Sequence, residues 1–123
     1  MAKDYTKYRF EEETYCKNRL VLAVVKKYLK GNPTTTVDEL KKIFSDKLHK
    51  NPRLGVFQTV ESAMGGERRD PEKRYFMKPA ELLLTGDGKK ICVCSQWGFD
   101  RHREFVEYVR KELKYKIVSL GPR

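Results

Sequence analysis

The stretch Gly86-Asp87-Gly88-Lys89-Lys90-Ile91-Cys92-Val93-Cys94-Ser95-Gln96-Trp97-Gly98 constrains this chain more than any other. It opens on a turn signal and continues as a short run that is apolar at every position. In an extended strand Ile91 and Val93 point to one face, and Cys92 and Cys94 to the other. A strand that is apolar on both faces belongs in the middle of a sheet, with other elements packed on each side. The preceding Glu81-Leu82-Leu83-Leu84-Thr85 pairs with it through Gly86-Asp87-Gly88, the strongest hairpin signal in the chain.

Upstream the periodicity changes to that of helices. Met1 to Lys7 form a tail, and Tyr8-Arg9-Phe10 and Thr14-Tyr15-Cys16 flank Glu11-Glu12-Glu13. These flanks allow a small hairpin, but three Glu make a poor turn by type, so a solvated charged bend is expected there. Asn18 is suited to cap a helix carrying Leu20, Val21, Val24, Val25, Tyr28 and Leu29 on one face, stopped at Gly31 and Pro33. Thr36-Val37-Asp38-Glu39 is a capping box for a second helix with Val37, Leu40, Ile43, Phe44 and Leu48 inward. Asn51-Pro52 starts a third, with Leu54, Phe57, Val60 and Met64 as its stripe and Gly65-Gly66 as its end. The short turn around His49-Lys50 between helices two and three suggests a helix-turn-helix or winged-helix-like half.

Beyond Gly66 the pattern is a polar loop, a strand at Arg74-Tyr75-Phe76-Met77, the hairpin, a helix with Phe105, Val106, Val109 and Leu113 inward, and a last strand at Lys116 to Leu120. Strand, helix and strand at that spacing imply a right-handed crossover placing Ile91 to Gln96 parallel to Ile117 to Leu120. The expected fold is therefore α+β in one domain, residues 1–123. It comprises a tail and possible hairpin (1–17), a three-helix half (18–64), and a small mixed sheet with one βαβ crossover (65–123).

Charge sets the functional expectation. The 123 residues hold 27 Lys and Arg against 17 Asp and Glu, a net charge of +10, which favours a polyanionic partner with nucleic acid first. Ten cations against three acids lie between Lys17 and Arg53, and Arg68, Arg69, Lys73, Arg74 and Lys78 cluster around Tyr75 and Phe76. Lys89 and Lys90 occupy the hairpin tip. The expected contacts are Arg53, Arg68, Arg69, Lys73, Arg74, Lys89 and Lys90 on phosphates, with Gln58 and Thr59 reaching base edges if the third helix enters a groove. The alternative for each cation is a solvated face or a local ion pair with Glu67, Asp70 or Glu72. A competing function is a protein-interaction module presenting Tyr75 and Trp97 to an acidic partner.

Other chemistries have less in their favour. Cys92 and Cys94 share a strand face, and Cys16 with His49 or His102 would complete four ligands. Cys-x-Cys within a strand lacks the knuckle spacing of structural zinc sites, so no metal and no cofactor are expected. Buried thiols packing as small apolar groups explain the pair, and His49 and His102 read as surface or capping residues. An odd count of three cysteines fits reduced thiols and a cytoplasmic location. No apolar run spans a bilayer, so no membrane association is expected.

From the third helix onward the order of elements resembles the core of PD-(D/E)xK nucleases. Gly98 stands where their lysine should be, and the nearest acid-x-Lys, Asp87-Gly88-Lys89, lies in the turn. A degenerate or active nuclease is thus a third reading. Arg74-Tyr75-Phe76, Asp87-Gly88, Cys94 to Gly98, the Phe105 helix and Tyr115-Lys116-Ile117 also resemble a small accessory domain of bacterial restriction-modification and DNA-processing proteins. The Leu20 to Val25 and Asp38 to Leu48 segments fit it too. That resemblance implies accessory, DNA-related work and attaches no catalytic motif.

Overall fold

The computed structural model describes residues 7–49, 55–65, 74–97 and 99–120. The first described elements are strands. β1 (Lys7–Phe10) and β2 (Glu13–Cys16) form a hairpin in which Phe10 faces Glu13 across a two-residue loop. Glu11 and Glu12 both take positive φ, 52° and 67°, as a type I′ turn requires of its central residues. Left-handed backbone costs a non-glycine residue about 1–2 kcal/mol. Two anchors offset that cost: Tyr8 and Phe10 are buried in the core, and the Glu11 carboxylate pairs with Lys27. The Glu run is a hairpin turn rather than a simple bend.

β2 runs directly into helix α1 (Lys17–Gly31), capped by the backbone of Cys16 with no side-chain bond. Asn18, expected as the cap, lies inside the first turn, and its Oδ1 is buried with no hydrogen-bond partner among the described residues. Leu20, Val21, Leu22, Val24, Val25 and Leu29 are all buried. Their burial overrides the modest helix propensity of three valines. Asn32 closes the helix by donating to the carbonyls of Tyr28 and Leu29. Helix α2 (Val37–Ile43) opens on the expected capping box: Glu39 N donates to Thr36 Oγ1 at 3.2 Å, and Thr36 N to Glu39 Oε1 at 3.0 Å. It ends before Phe44, and a 3₁₀ turn follows at Asp46–Leu48.

The expected third helix is largely a strand. Phe57–Thr59 forms β3, paired antiparallel with β5 (Lys90–Val93), and only Val60–Gly65 is helical (α3). Gly55, at φ 64°, precedes a run rich in β-branched and aromatic residues that suits a ladder better than a helix. The start at Asn51-Pro52 lies outside the described residues. Among the described residues no helix-turn-helix or winged-helix half is formed, and the three-helix expectation for 18–64 is corrected accordingly.

The hairpin over β4 (Leu83–Leu84) and β5 is present as expected. Its turn is docked tightly: Gly86 N donates to Thr35 O at 2.6 Å, and a Cβ on Gly86 would meet the Thr34 backbone at 2.3 Å. β5 is the central strand of the order β3-β5-β4, and Ile91, Cys92, Val93 and Cys94 are fully buried. Tyr75 adds one isolated bridge to Cys94 instead of a full strand at 74–77.

Helix α4 (Phe99–Tyr108) continues as a π-helical turn, Val109–Leu113, and stops at Lys114 in left-handed conformation (φ 61°). The last strand, β6 (Val118–Ser119), pairs antiparallel with β1, giving a second sheet ordered β2-β1-β6. Among the described strands there is no βαβ crossover. Both edges of β5 are already taken by β3 and β4, so β6 adds to the free edge of β1. The PD-(D/E)xK-like order dissolves for the same reason, because the final strand leaves the central sheet. The fold is α+β with two three-stranded antiparallel sheets. One apolar cluster joins Leu20, Leu40 and Phe44 to Ile91, Trp97 and Phe105, and so spans both halves of the chain. No described helix is long and apolar enough to cross a membrane.

Candidate functional site

The pairing of β6 with β1 brings together cations that are far apart in sequence. Alternation along β1 buries Tyr8 and Phe10 and leaves Lys7 and Arg9 outside. After Lys114 turns the chain, residues 115–117 run back toward β1, and Arg110 pins them: its Nε and Nη2 donate to Ile117 O at 2.9 and 2.6 Å. The result is a groove of about 410 Å³ between the Glu11-Glu12 turn, α1 and this returning segment. Arg9, Lys27, Lys114 and Lys116 line it together with Glu11 and Glu12. Its aromatic wall is Tyr115, whose ring centroid lies 5.8 Å from that of buried Phe10.

The charges in the groove are unequally committed. Lys27 pairs with Glu11, and that hydrogen bond raises the lysine's pKa. Arg9, Lys114 and Lys116 have no described carboxylate within ion-pair distance, nor has Glu12 a described cation. Partial burial raises the Tyr115 pKa, with Lys27 opposing, so the ring remains a neutral phenol. Three cations with no carboxylate partner among the described residues thus stand beside an aromatic face.

A second concavity of about 420 Å³ is lined by Arg19, Tyr75, Phe76, Met77, Lys78, Glu81 and Ser95. Here the guanidinium is in use already. Arg19 lies 4.7 Å from the Phe76 ring centroid and 2.5 Å from Glu81, whose other oxygen accepts from Lys78 N at 3.1 Å.

The contact residues expected from sequence fall in several places. Arg53, Arg68, Arg69 and Lys73 lie outside the described residues. Gln58 and Thr59 are on β3, half-buried opposite Cys92 and Ile91, and Thr59 Oγ1 caps α3 by accepting from Ser62 N at 3.1 Å. No helix carries these two toward a groove. Arg74 is half-buried, and its carbonyl accepts from Ser95 N at 2.8 Å. Lys89 and Lys90 are exposed at the β4–β5 turn, as expected for a hairpin tip. None of these described residues lines the cationic groove. The groove's signal in the sequence was faint: the Lys114-x-Lys116 alternation and the outward position of Arg9 are visible, but their meeting depends on the β1–β6 register.

Both imidazoles and two of the three thiols are buried. His49 and His102, expected at the surface, are both buried, packed edgewise on Trp97 at centroid distances of 4.6 and 6.4 Å. His49 Nε2 donates to Gln96 O at 2.5 Å and lies 3.5 Å from Cys94 Sγ, while Trp97 Nε1 donates to Cys94 O at 3.0 Å. Cys92 donates to Gln58 O, and burial pushes its pKa up to about 12. Cys16 sits exposed at the end of β2. Among the described residues no three His, Cys, Asp or Glu side chains converge on a common point. Asp87 hydrogen-bonds the Thr85 hydroxyl, which lowers its pKa, and it serves the turn. Tyr75 and Trp97, the aromatics expected to face a protein partner, are buried.

Comparison with protein-family models, curated proteins and solved structures gives no match to this chain.

Proposed function

We propose that this chain binds nucleic acid, DNA foremost, through phosphate contacts, as an accessory module of a larger system. The observation that carries the reading is the groove in which Arg9, Lys114 and Lys116 converge with no carboxylate partner among the described residues. A net charge of +10 and the exposed Lys89 and Lys90 support it by favouring encounter with a polyanion. Free thiols at Cys16, Cys92 and Cys94 agree with a cytoplasmic setting. The burial of Tyr75 and Trp97 removes the surface on which an aromatic-led protein contact was founded.

Titrating the protein into fluorescently labelled DNA and RNA at two salt concentrations tests the reading. Neutralising about three phosphates gives a log–log salt slope near −2.7 on a duplex and about −2.1 on a single strand, roughly 40-fold and 20-fold losses of affinity between 50 and 200 mM salt. Failure of duplex DNA, single-stranded DNA and RNA alike to bind at low salt refutes it.

A further inference from the structure

The groove holds more than charge, and the combination narrows its ligand. Its volume, about 410 Å³, is on the scale of one nucleotide. Proteins that read a duplex insert a protruding helix or ribbon into a groove about 12 Å wide. Here the cations surround a depression, and α3, the remnant of the expected recognition helix, spans only Val60–Gly65. A duplex offers a depression of this kind its phosphates alone, because its bases are stacked and their pairing edges are occupied.

Two features of the groove would then go unused. The Tyr115 ring stands half-buried against Phe10, held on a segment that Arg110 fixes through Ile117 O. Such a ring is a stacking platform for an unstacked base, and its hydroxyl remains protonated because burial raises its pKa. Glu12, exposed at the hairpin turn, lines the same groove. A carboxylate repels phosphate but accepts N–H groups from the free edge of a base. Cations, aromatic ring and carboxylate thus match the phosphate, the face and the edge of a single exposed nucleotide.

We infer that the groove takes single-stranded nucleic acid, seating one unstacked base against Tyr115 with the flanking phosphates on Arg9, Lys114 and Lys116. The inference rests on the phosphate-binding reading above and specifies its ligand.

The experiment compares labelled 12-nucleotide single strands, DNA and RNA, with the 12-base-pair duplex of the same sequence, using the full chain in about 100 mM salt. Single strands are expected to bind at least tenfold more tightly than duplex. Tyr115→Leu, which keeps an apolar group on Phe10, is expected to reduce single-strand affinity by about tenfold. Photocrosslinking of the unaltered protein to a 5-iodouracil-substituted strand should place the adduct on Tyr115 and needs no variant to fold. Equal or tighter duplex binding, or a crosslink confined to other residues, overturns the single-strand assignment and leaves the phosphate reading standing. Absence of binding by every nucleic acid at low salt overturns both. Whichever of the DNA and RNA strands binds identifies the sugar that the groove accepts.

Discussion

The groove beside β1 and the cavity beside Arg19 are nearly equal in volume, about 410 and 420 Å³, and each combines cations with an aromatic ring. They differ in what their charges already do. In the cavity, Arg19 is stacked on Phe76 and paired with a Glu81 side chain only 10% exposed, so the guanidinium completes the fold around a buried carboxylate. In the groove, among the described residues, only Lys27 is so engaged, and the other cations are exposed. A cation's availability, rather than its presence near an aromatic, separates a site from a structural tie.

Opposite outcomes in the two places would break or sharpen that contrast. The largest effect is expected for Arg9→Glu combined with Lys116→Glu, which inverts the groove's field. Nucleic-acid affinity at low salt should fall by about 100-fold or more, because two attractions are replaced by two repulsions. The urea midpoint should barely move, since both side chains are exposed. Arg19→Ala should do the reverse. It removes the ion pair from the nearly buried Glu81, leaving the carboxylate with its bond from Lys78 N, and should cost about 1–3 kcal/mol by urea denaturation, with binding intact. Loss of binding without loss of stability in Arg19→Ala would show the cavity to be the site.

Smaller effects test how the groove's rim is built. Thr36→Ala removes the acceptor of the α2 capping box and should cost about 1 kcal/mol. It leaves the groove alone, so it calibrates how far a purely structural loss reaches into binding. Glu12→Gly relieves a left-handed residue at φ 67° and should stabilise the hairpin by up to about 1 kcal/mol, read as a rise in the urea midpoint. A fall would mean that Glu12 contributes a contact to the turn in addition to its charge.

The sequence was most legible where local chemistry and burial agree. The capping box at Thr36, the β4–β5 hairpin and the buried centrality of Ile91 to Cys94 are all set by neighbours in sequence, and all are present. It misled where a tertiary partner decided between two local options. Leu54, Phe57, Val60 and Met64 carry a helical period, yet Phe57 to Thr59 meet the open edge of β5 and join it. The Glu11-Glu12 turn is unfavourable by type and is held by Lys27, which lies sixteen residues beyond Glu11. The crossover failed because edge occupancy belongs to the whole sheet and is invisible to spacing. For the same reason the groove was not legible: Arg9 and Lys116 meet only because β6 was displaced to β1.

The last test concerns the buried face of β5 rather than either concavity. The Cys92 pKa stands near 12 because burial disfavours the thiolate, whereas the exposed Cys16 faces solvent. Between the unfolded value, about 8.5, and that raised value the folded state holds a proton that the unfolded chain releases. Stability from this group is therefore complete below about pH 8 and declines as pH rises toward 12. Tyr108 and Tyr115, also raised by burial, steepen the decline at its upper end. Urea midpoints measured from pH 7.5 to 10 should decrease progressively, and Cys92→Ala should flatten the early part of that slope. Thiol labelling at pH 8 should modify Cys16 within minutes and Cys92 only on unfolding. Labelling of Cys92 at a rate close to that of Cys16 would mean that the β5 face opens locally, and the central strand would then be the least protected part of the sheet.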